Sequence, residues 1–68
     1  MQWDRETNGD WIAKGEKGHF LIWKYGNIYK GLYMRTENKE VRFRFFRNTL
    51  AEAKKLCEEN HYWEGTNK

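Results

Sequence analysis

Short runs of aromatic and β-branched residues alternate with turn-forming residues over the first 47 positions of the chain. The turn-forming positions are, in order, Asn8-Gly9, Gly15 to Gly18, Gly26-Asn27 and Glu37-Asn38-Lys39. Short strands separated by frequent turns are typical of an antiparallel β-meander. We therefore predict a meander of about three to five strands within residues 2–47.

The turns also predict which residues pair across neighbouring strands. Asn8-Gly9 suits a type I′ turn, because both residues tolerate the positive φ angles that this turn requires. Gly26-Asn27 suits a primed two-residue turn, and residues 15–18 and 37–38 are treated as loops. The resulting pairs include Ile12 with Leu21, Trp23 with Lys30, Leu21 with Leu32, Tyr25 with Ile28, Met34 with Val41, Leu32 with Phe43, Tyr33 with Arg42, and Gly31 with Arg44.

This register sorts the side chains onto two faces, because successive residues of a strand point to opposite sides of the sheet. One face carries Ile12, Leu21, Trp23, Ile28, Leu32, Met34, Val41, Phe43 and Phe45. The other carries Trp11, Ala13, Phe20, Ile22, Lys24, Tyr29, Tyr33, Arg35, Arg42, Arg44 and Phe46. A single β-bulge would exchange the faces for one strand.

The segment that follows the predicted sheet has helical spacing. Thr49-Leu50-Ala51-Glu52 is a capping box, in which the Thr49 hydroxyl accepts from the Glu52 backbone N–H. Apolar residues recur on one side of the helix that follows, at Leu50, Ala53, Leu56 and Cys57. We predict a helix over residues 50–60, with Asn60 as its C-cap, packed on the Leu21/Leu32/Phe43 face. The predicted fold class is therefore α+β: an antiparallel meander with one C-terminal helix on one face.

Composition explains how so short a chain can form a core. Aromatic residues make up 18% of the 68 residues, and each buries a large area. The single cysteine, Cys57, excludes an internal disulfide and suits a reducing compartment. The longest apolar run, residues 20–23, is too short to span a membrane. We expect one cytoplasmic domain over residues 1–68, with residues 61–63 folded back on the core and residues 65–68 frayed.

The net charge of +3 is unevenly distributed along the chain. Residues 1–10 carry −2, and residues 11–47 carry nine Lys or Arg against three Glu, which gives +6. Residues 48–68 carry −1. The positive charge therefore belongs to the predicted sheet, where it either keeps strand edges from associating or serves an anionic partner.

The sequence offers little for catalysis or metal binding. Cys57 and His61 are four residues apart and could meet on a helix, but Cys57 lies on the apolar stripe, where cysteine behaves as a small hydrophobe. A metal site would need His19 and a carboxylate as well. The chain contains no serine, and its glycines are scattered among turns. We therefore expect that the chain is not an enzyme and that it binds no cofactor, metal or small-molecule substrate.

The sheet face away from the predicted helix is the candidate binding surface. Its predicted site residues are Trp11, Lys24, Tyr29, Tyr33, Arg35, Arg42 and Arg44. One interpretation is structural: the N-terminal segment with Trp3, or the C-terminal tail, covers this face. A second is nucleic-acid binding, since Arg and Lys neutralise phosphates and aromatic rings stack on bases. A third is a protein partner, including a second copy of the chain, since Trp, Tyr and Arg are enriched at interaction hot spots.

The helix opening resembles that of many small orphan proteins encoded by bacteriophages and prophages. Those proteins are short sheets closed by a helix that begins with a Thr-Leu-x-Glu-Ala-Lys motif, which here is Thr49, Leu50, Glu52, Ala53 and Lys54. The resemblance implies a phage or mobile-element origin. It also implies that the chain could bind and inhibit a host protein.

The layout is also similar to the sheet-plus-helix DNA-binding domains of phage integrase arm-site modules and plant ethylene-response factors. Those domains read DNA with Arg and Trp residues of the sheet, and the resemblance makes Trp11, Arg42 and Arg44 the corresponding readers. The chain differs from them in having an additional N-terminal segment and in lacking their dense basic run. We therefore predict a non-enzymatic binding module for nucleic acid, with a protein-binding module or homodimer as the alternative.

Overall fold

The computed structural model describes residues 2–60, the last of them by its backbone only. Within these residues, five strands and one helix follow one another: β1 (Asp4–Arg5), β2 (Trp11–Lys14), β3 (Gly18–Tyr25), β4 (Ile28–Arg35), β5 (Val41–Arg47) and α1 (Leu50–Asn60). The strands form a single sheet in the order β1-β2-β3-β4-β5, and every neighbouring pair is antiparallel. The predicted α+β meander with one C-terminal helix is confirmed.

The central strands have the predicted register. Ile12 pairs with Leu21 across β2 and β3, and Leu21 pairs with Leu32 across β3 and β4. The turn between β3 and β4 is Gly26-Asn27, where Gly26 has φ 62° and Asn27 has no positive φ. A positive φ at the first central residue alone is the pattern of a type II′ turn, which requires glycine at that position.

The turn between β1 and β2 differs from the predicted type I′ turn. Gly9 has φ 94°, but Asn8 has no positive φ, so the type I′ prediction is wrong. The Gly9 N–H donates to the Glu6 carbonyl at 2.9 Å, and the Asn8 Oδ1 accepts from the Asp10 N–H at 3.0 Å. The side-chain bond to the backbone two residues on stabilises an Asx turn, so Gly9 alone takes the left-handed conformation.

A β-bulge changes the register of β5. Met34 pairs with Val41 as predicted, but Tyr33 pairs with Phe43 and Leu32 with Arg44. Arg42 is the additional residue of the bulge, so the predicted pairs of Leu32 with Phe43, Tyr33 with Arg42 and Gly31 with Arg44 are wrong. The consequence is that Phe43 and Phe45 move to the same face as Tyr33.

The helix packs on the face opposite to the predicted one. Of the residues that the structure describes, the buried hydrophobic ones are Ala13, Phe20, Ile22, Tyr33, Ala53 and Cys57, and those packed around them are Trp3, Trp11, Tyr29, Phe43, Phe45 and Leu50. The prediction that α1 covers the Leu21/Leu32/Phe43 face is therefore wrong, except that Phe43 is indeed under the helix. The physical reason is the bulge, which adds two phenylalanine rings to the face that already holds Phe20 and Tyr33.

Small residues make this face accessible to the helix and the rings. An added Cβ at Gly31 would overlap the Phe45 ring, and one at Gly18 would overlap the Tyr33 ring. The helix itself presents Ala53 and Cys57, both completely buried. Large rings can therefore lie flat against backbone that carries no side chain, which brings α1 close to the sheet.

The start of α1 agrees with the capping-box prediction. The Thr49 Oγ1 accepts from the Glu52 backbone N–H at 3.1 Å, and the Thr49 hydroxyl donates to the Glu52 carboxylate at 3.1 Å. These bonds satisfy a backbone donor of the first helical turn.

The predictions for the Asn60 side chain, for residues 61–63 and for residues 65–68 lie outside what the structure describes. Among the described residues, no helix is both long and apolar enough to cross a bilayer.

Candidate nucleic-acid interface

The sheet face opposite α1 is the candidate site and is called the open face below. It consists of the side chains of Ile12, Leu21, Trp23, Tyr25, Ile28, Lys30, Leu32, Met34, Val41, Arg44 and Phe46, with Lys14 and His19 at one end. Strand alternation places these residues there, because each one neighbours a residue whose side chain points towards α1. Residues that the sequence assigned to the buried face are therefore on the surface.

One row across this face combines two aromatic rings with a cation. Trp23 pairs with Lys30, and Lys30 pairs with Phe46, so the three side chains lie side by side on β3, β4 and β5. Phe46 is 62% exposed, which is unusual for a large apolar side chain. The Lys30 Nζ lies 4.1 Å from the centre of the Tyr25 ring, and Tyr25 is 59% exposed. The cation therefore leans along β4 towards the end of the sheet at Tyr25.

A depression opens between Trp23 and Phe46. It has a volume of about 290 Å³ and is lined by Trp23, Lys30, Gly31, Arg44, Phe45 and Phe46. Arg44 occupies the next row, paired with Leu32, and is exposed. Exposed rings beside guanidinium and ammonium groups can bind a planar, negatively charged ligand.

All charged residues in four of the five strands are basic. Strands β2 to β5 contain seven Lys or Arg residues and no Asp or Glu. Arg35 and Arg42 have acidic neighbours in the β4–β5 loop: Arg35 lies 3.8 Å from Glu37, and Arg42 lies 3.5 Å from Glu40. Lys30 and Arg44 form no ion pair with any residue that the structure describes. Their positive charge is therefore available to an anion.

The seven residues predicted as the site do not form one surface. Trp11, Tyr29 and Tyr33 lie on the helix side, and Tyr33 is only 2% exposed. Lys24 and Arg35 are on that side as well, paired across β3 and β4 with Tyr29 and Gly18. Arg44 is on the open face, and Arg42 lies beside it in the bulge. Of the predicted set, only Arg44 lines the depression.

Trp11 is held by cations of the chain itself. The Lys54 Nζ lies 3.9 Å from the centre of its ring, and the Arg5 guanidinium lies 4.8 Å from it. Trp3 also packs against the core on this side of the sheet. The structural interpretation is thus confirmed for this face in one respect, because the N-terminal segment covers part of it.

Sequence reasoning missed Trp23, Tyr25 and Lys30 as site residues, and it placed Phe46 on the candidate face without including it in the site. The pairing of Trp23 with Lys30 was predicted correctly, so the sequence already placed these two side chains next to each other. The error was to place the helix on the face that carries Trp23 and Lys30. The signal that pointed the other way was the set of small residues on the opposite face, Ala13, Gly18 and Gly31, which leave room for packing.

Cys57 is a core residue, in agreement with the preferred interpretation of its sequence position. It is completely buried, and burial, with a smaller contribution from the neighbouring Glu58, raises the pKa of its thiol to about 12. A thiol that keeps its proton is a poor nucleophile and a poor metal ligand. Its candidate partner His61 lies outside the described residues. In the part of the chain that the structure describes, no group of three metal-binding side chains occurs.

The raised pKa of Cys57 predicts a loss of stability at high pH. Below pH 9 the thiol is protonated in both states, and its preference for the folded state is fully present. Between pH 9 and about 12 the unfolded chain releases the proton but the folded chain does not, so the free energy of unfolding should fall. Urea unfolding across this interval should show a steeper decline for the wild type than for Cys57→Ala. Parallel declines would contradict the prediction, because the two proteins differ only at Cys57.

Comparisons of the chain with protein-family models, with curated proteins and with solved structures found no match.

Proposed function

We propose that the chain is a non-enzymatic nucleic-acid-binding module that uses the open face. The observation that carries the proposal is the row of Trp23, Lys30 and Phe46 with Arg44 beside it, on a sheet whose four long strands contain no acidic residue. Phosphates are attracted by Lys30 and Arg44, and bases stack on the exposed rings. The proposed surface therefore differs from the one predicted from the sequence, but it combines the same aromatic and basic residue types.

A phage or mobile-element origin and a cytoplasmic location belong to the same proposal. The helix opening at Thr49 supports the former, and the single buried thiol of Cys57 is compatible with the reducing interior of a cell. The genes that flank the coding sequence would test the origin. Neighbouring integrase or replication genes would support a role in nucleic-acid metabolism.

The test of this function is the salt dependence of binding to a labelled oligonucleotide, measured by fluorescence anisotropy. At about 50 mM salt the wild type should bind, and its affinity should fall as salt rises because condensed counterions are released. The double variant Lys30→Ala/Arg44→Ala should bind more weakly. It should also reduce the slope of log K against log salt by about 1.4, or 0.7 for each lost phosphate contact on a single strand.

The matched control removes the same charge elsewhere. Lys24→Ala/Lys55→Ala neutralises two exposed cations that lie outside the open face, on the helix side and on α1. If it weakens binding as much as Lys30→Ala/Arg44→Ala, the attraction comes from net charge and not from the open face. Absence of binding by the wild type at about 50 mM salt would overturn the proposed function.

A second candidate function is association with a protein, including a second copy of the chain. Ile12, Leu21 and Leu32 form an apolar row across β2, β3 and β4, and Met34 and Val41 form an apolar pair in the next row. Apolar patches on a protein surface often mark an interface. Sedimentation of the wild type and the double variant distinguishes this case, because a dimer formed through the open face would change its association when the face is altered.

A further inference from the structure

The spacing of the strands leaves room for about one aromatic ring between Trp23 and Phe46. Neighbouring strands of a sheet are about 4.8 Å apart, so β3 and β5, which flank β4, are about 9.6 Å apart. A planar ring in contact with a ring on each side needs about 7 Å, because carbon atoms touch at about 3.5 Å. The remaining distance allows both side chains to tilt, so one ring fits between Trp23 and Phe46.

The side chain between these two rings does not fill the space. Lys30 belongs to the same row, but its Nζ lies 4.1 Å from the Tyr25 ring centre and is thus turned towards the next row. Gly31 and Phe45 complete the lining of the depression. The volume of about 290 Å³ is at the small end of the range for ligand sites and is sufficient for one base.

The groups around the depression match a nucleotide. Trp23 and Phe46 provide stacking faces, while Arg44 lines one side and carries a charge that suits a phosphate. A base can enter the depression only after it has lost its stacking contacts with the neighbouring bases. Bases of a duplex are stacked and paired, so they would have to be extruded at a cost of several kcal/mol.

We infer that this depression binds one unpaired nucleobase between Trp23 and Phe46, and that the chain therefore prefers single-stranded to duplex nucleic acid. The inference rests on the proposed function and specifies its substrate class. It also predicts a preference opposite to that of plain electrostatic attraction, because a duplex has twice the phosphate density of a single strand.

The experiment compares three probes of equal length: oligothymidylate, the same strand with abasic residues in place of its thymidines, and a duplex. Oligothymidylate should bind at least about tenfold more tightly than the other two, as expected for one stacked base. Phe46→Ala should weaken oligothymidylate binding by roughly 5- to 100-fold and leave the duplex unchanged. The salt slope should stay the same, since Phe46 carries no charge.

Phe46→Leu serves as the matched control, since it keeps an apolar side chain of similar size but has no aromatic face. It should lose most of the affinity that Phe46→Ala loses, and neither variant should unfold, because the side chain is exposed. Equal binding of oligothymidylate and the abasic strand, or of oligothymidylate and the duplex, would overturn the base site. Salt-dependent binding in those cases would leave the proposed function intact. Failure of all three probes to bind would overturn both.

Discussion

Replacing Ile22 with alanine should destabilise the protein by about 2–5 kcal/mol, the usual cost of truncating a fully buried isoleucine. Ile22 has no exposed surface and lies in the cluster beneath α1. The neighbouring Leu21 points to the open face and is half-buried, so Leu21→Ala should cost only about 1 kcal/mol. The difference between two adjacent residues of β3 therefore reports which face of the sheet the helix covers.

The measurement is urea-induced unfolding followed by tryptophan fluorescence and circular dichroism. A domain of 68 residues has a free energy of unfolding of roughly 3–10 kcal/mol, so Ile22→Ala can be largely unfolded in water. Ile22→Val, with an expected cost of about 0.5–1.5 kcal/mol, keeps the comparison quantitative in that case. A larger loss for Leu21→Ala than for Ile22→Ala would place the helix on the other face.

Replacing Gly31 with alanine should also destabilise the protein, by about 1–3 kcal/mol, the usual cost of overpacking. Glycine inside a strand is normally the weaker choice, and alanine would be expected to gain about 0.5–1 kcal/mol there. At Gly31 the sign reverses, because the Phe45 ring lies across the backbone and occupies the position of the new Cβ. Phe45 is packed against the core, so its ring cannot withdraw without losing contacts.

A double-mutant cycle isolates this contact. In a Phe45→Ala background the space beside Gly31 is empty, so Gly31→Ala should there be neutral or slightly stabilising. Chemical denaturation of the four proteins gives the coupling free energy, which should be about 1–3 kcal/mol. A coupling close to zero would mean that the ring does not rest on the glycine, and the packing explanation for the face covered by α1 would then be wrong.

The residue types of the candidate site could be predicted from the sequence, but most of the individual residues could not. The charge of the sheet could be counted from the sequence, and the pairing of Trp23 with Lys30 followed from the Gly26-Asn27 turn. Arg44 was predicted and lies on the open face. Tyr29 and Tyr33 were predicted too, but Tyr33 is part of the core and Tyr29 packs against it, because they belong to the face that α1 covers.

The β4–β5 loop shows why the register of β5 could not be predicted from the local sequence. In the loop Lys39 has φ 58°, and the Glu40 N–H donates to the Asn38 Oδ1 at 3.0 Å. This Asx bond competes with a tight two-residue turn, and β5 enters the sheet with Arg42 as an additional residue. The pattern of β5 alone cannot show this, because β4 carries apolar residues on both faces and Phe43 can pair with Leu32 or with Tyr33.

The sequence by itself determined the meander, the central registers and the start of the helix, because hairpin turns and helix caps depend on residues only a few positions apart. The bulge, the face covered by α1 and thus the identity of the open face were decided by the tertiary structure. The reason is that both faces of the sheet carry enough apolar residues to attract a helix. The choice between them depends on whether Phe43 and Phe45 join Phe20 and Tyr33 and on whether Gly18 and Gly31 leave room for the rings. These are contacts between residues far apart in the chain.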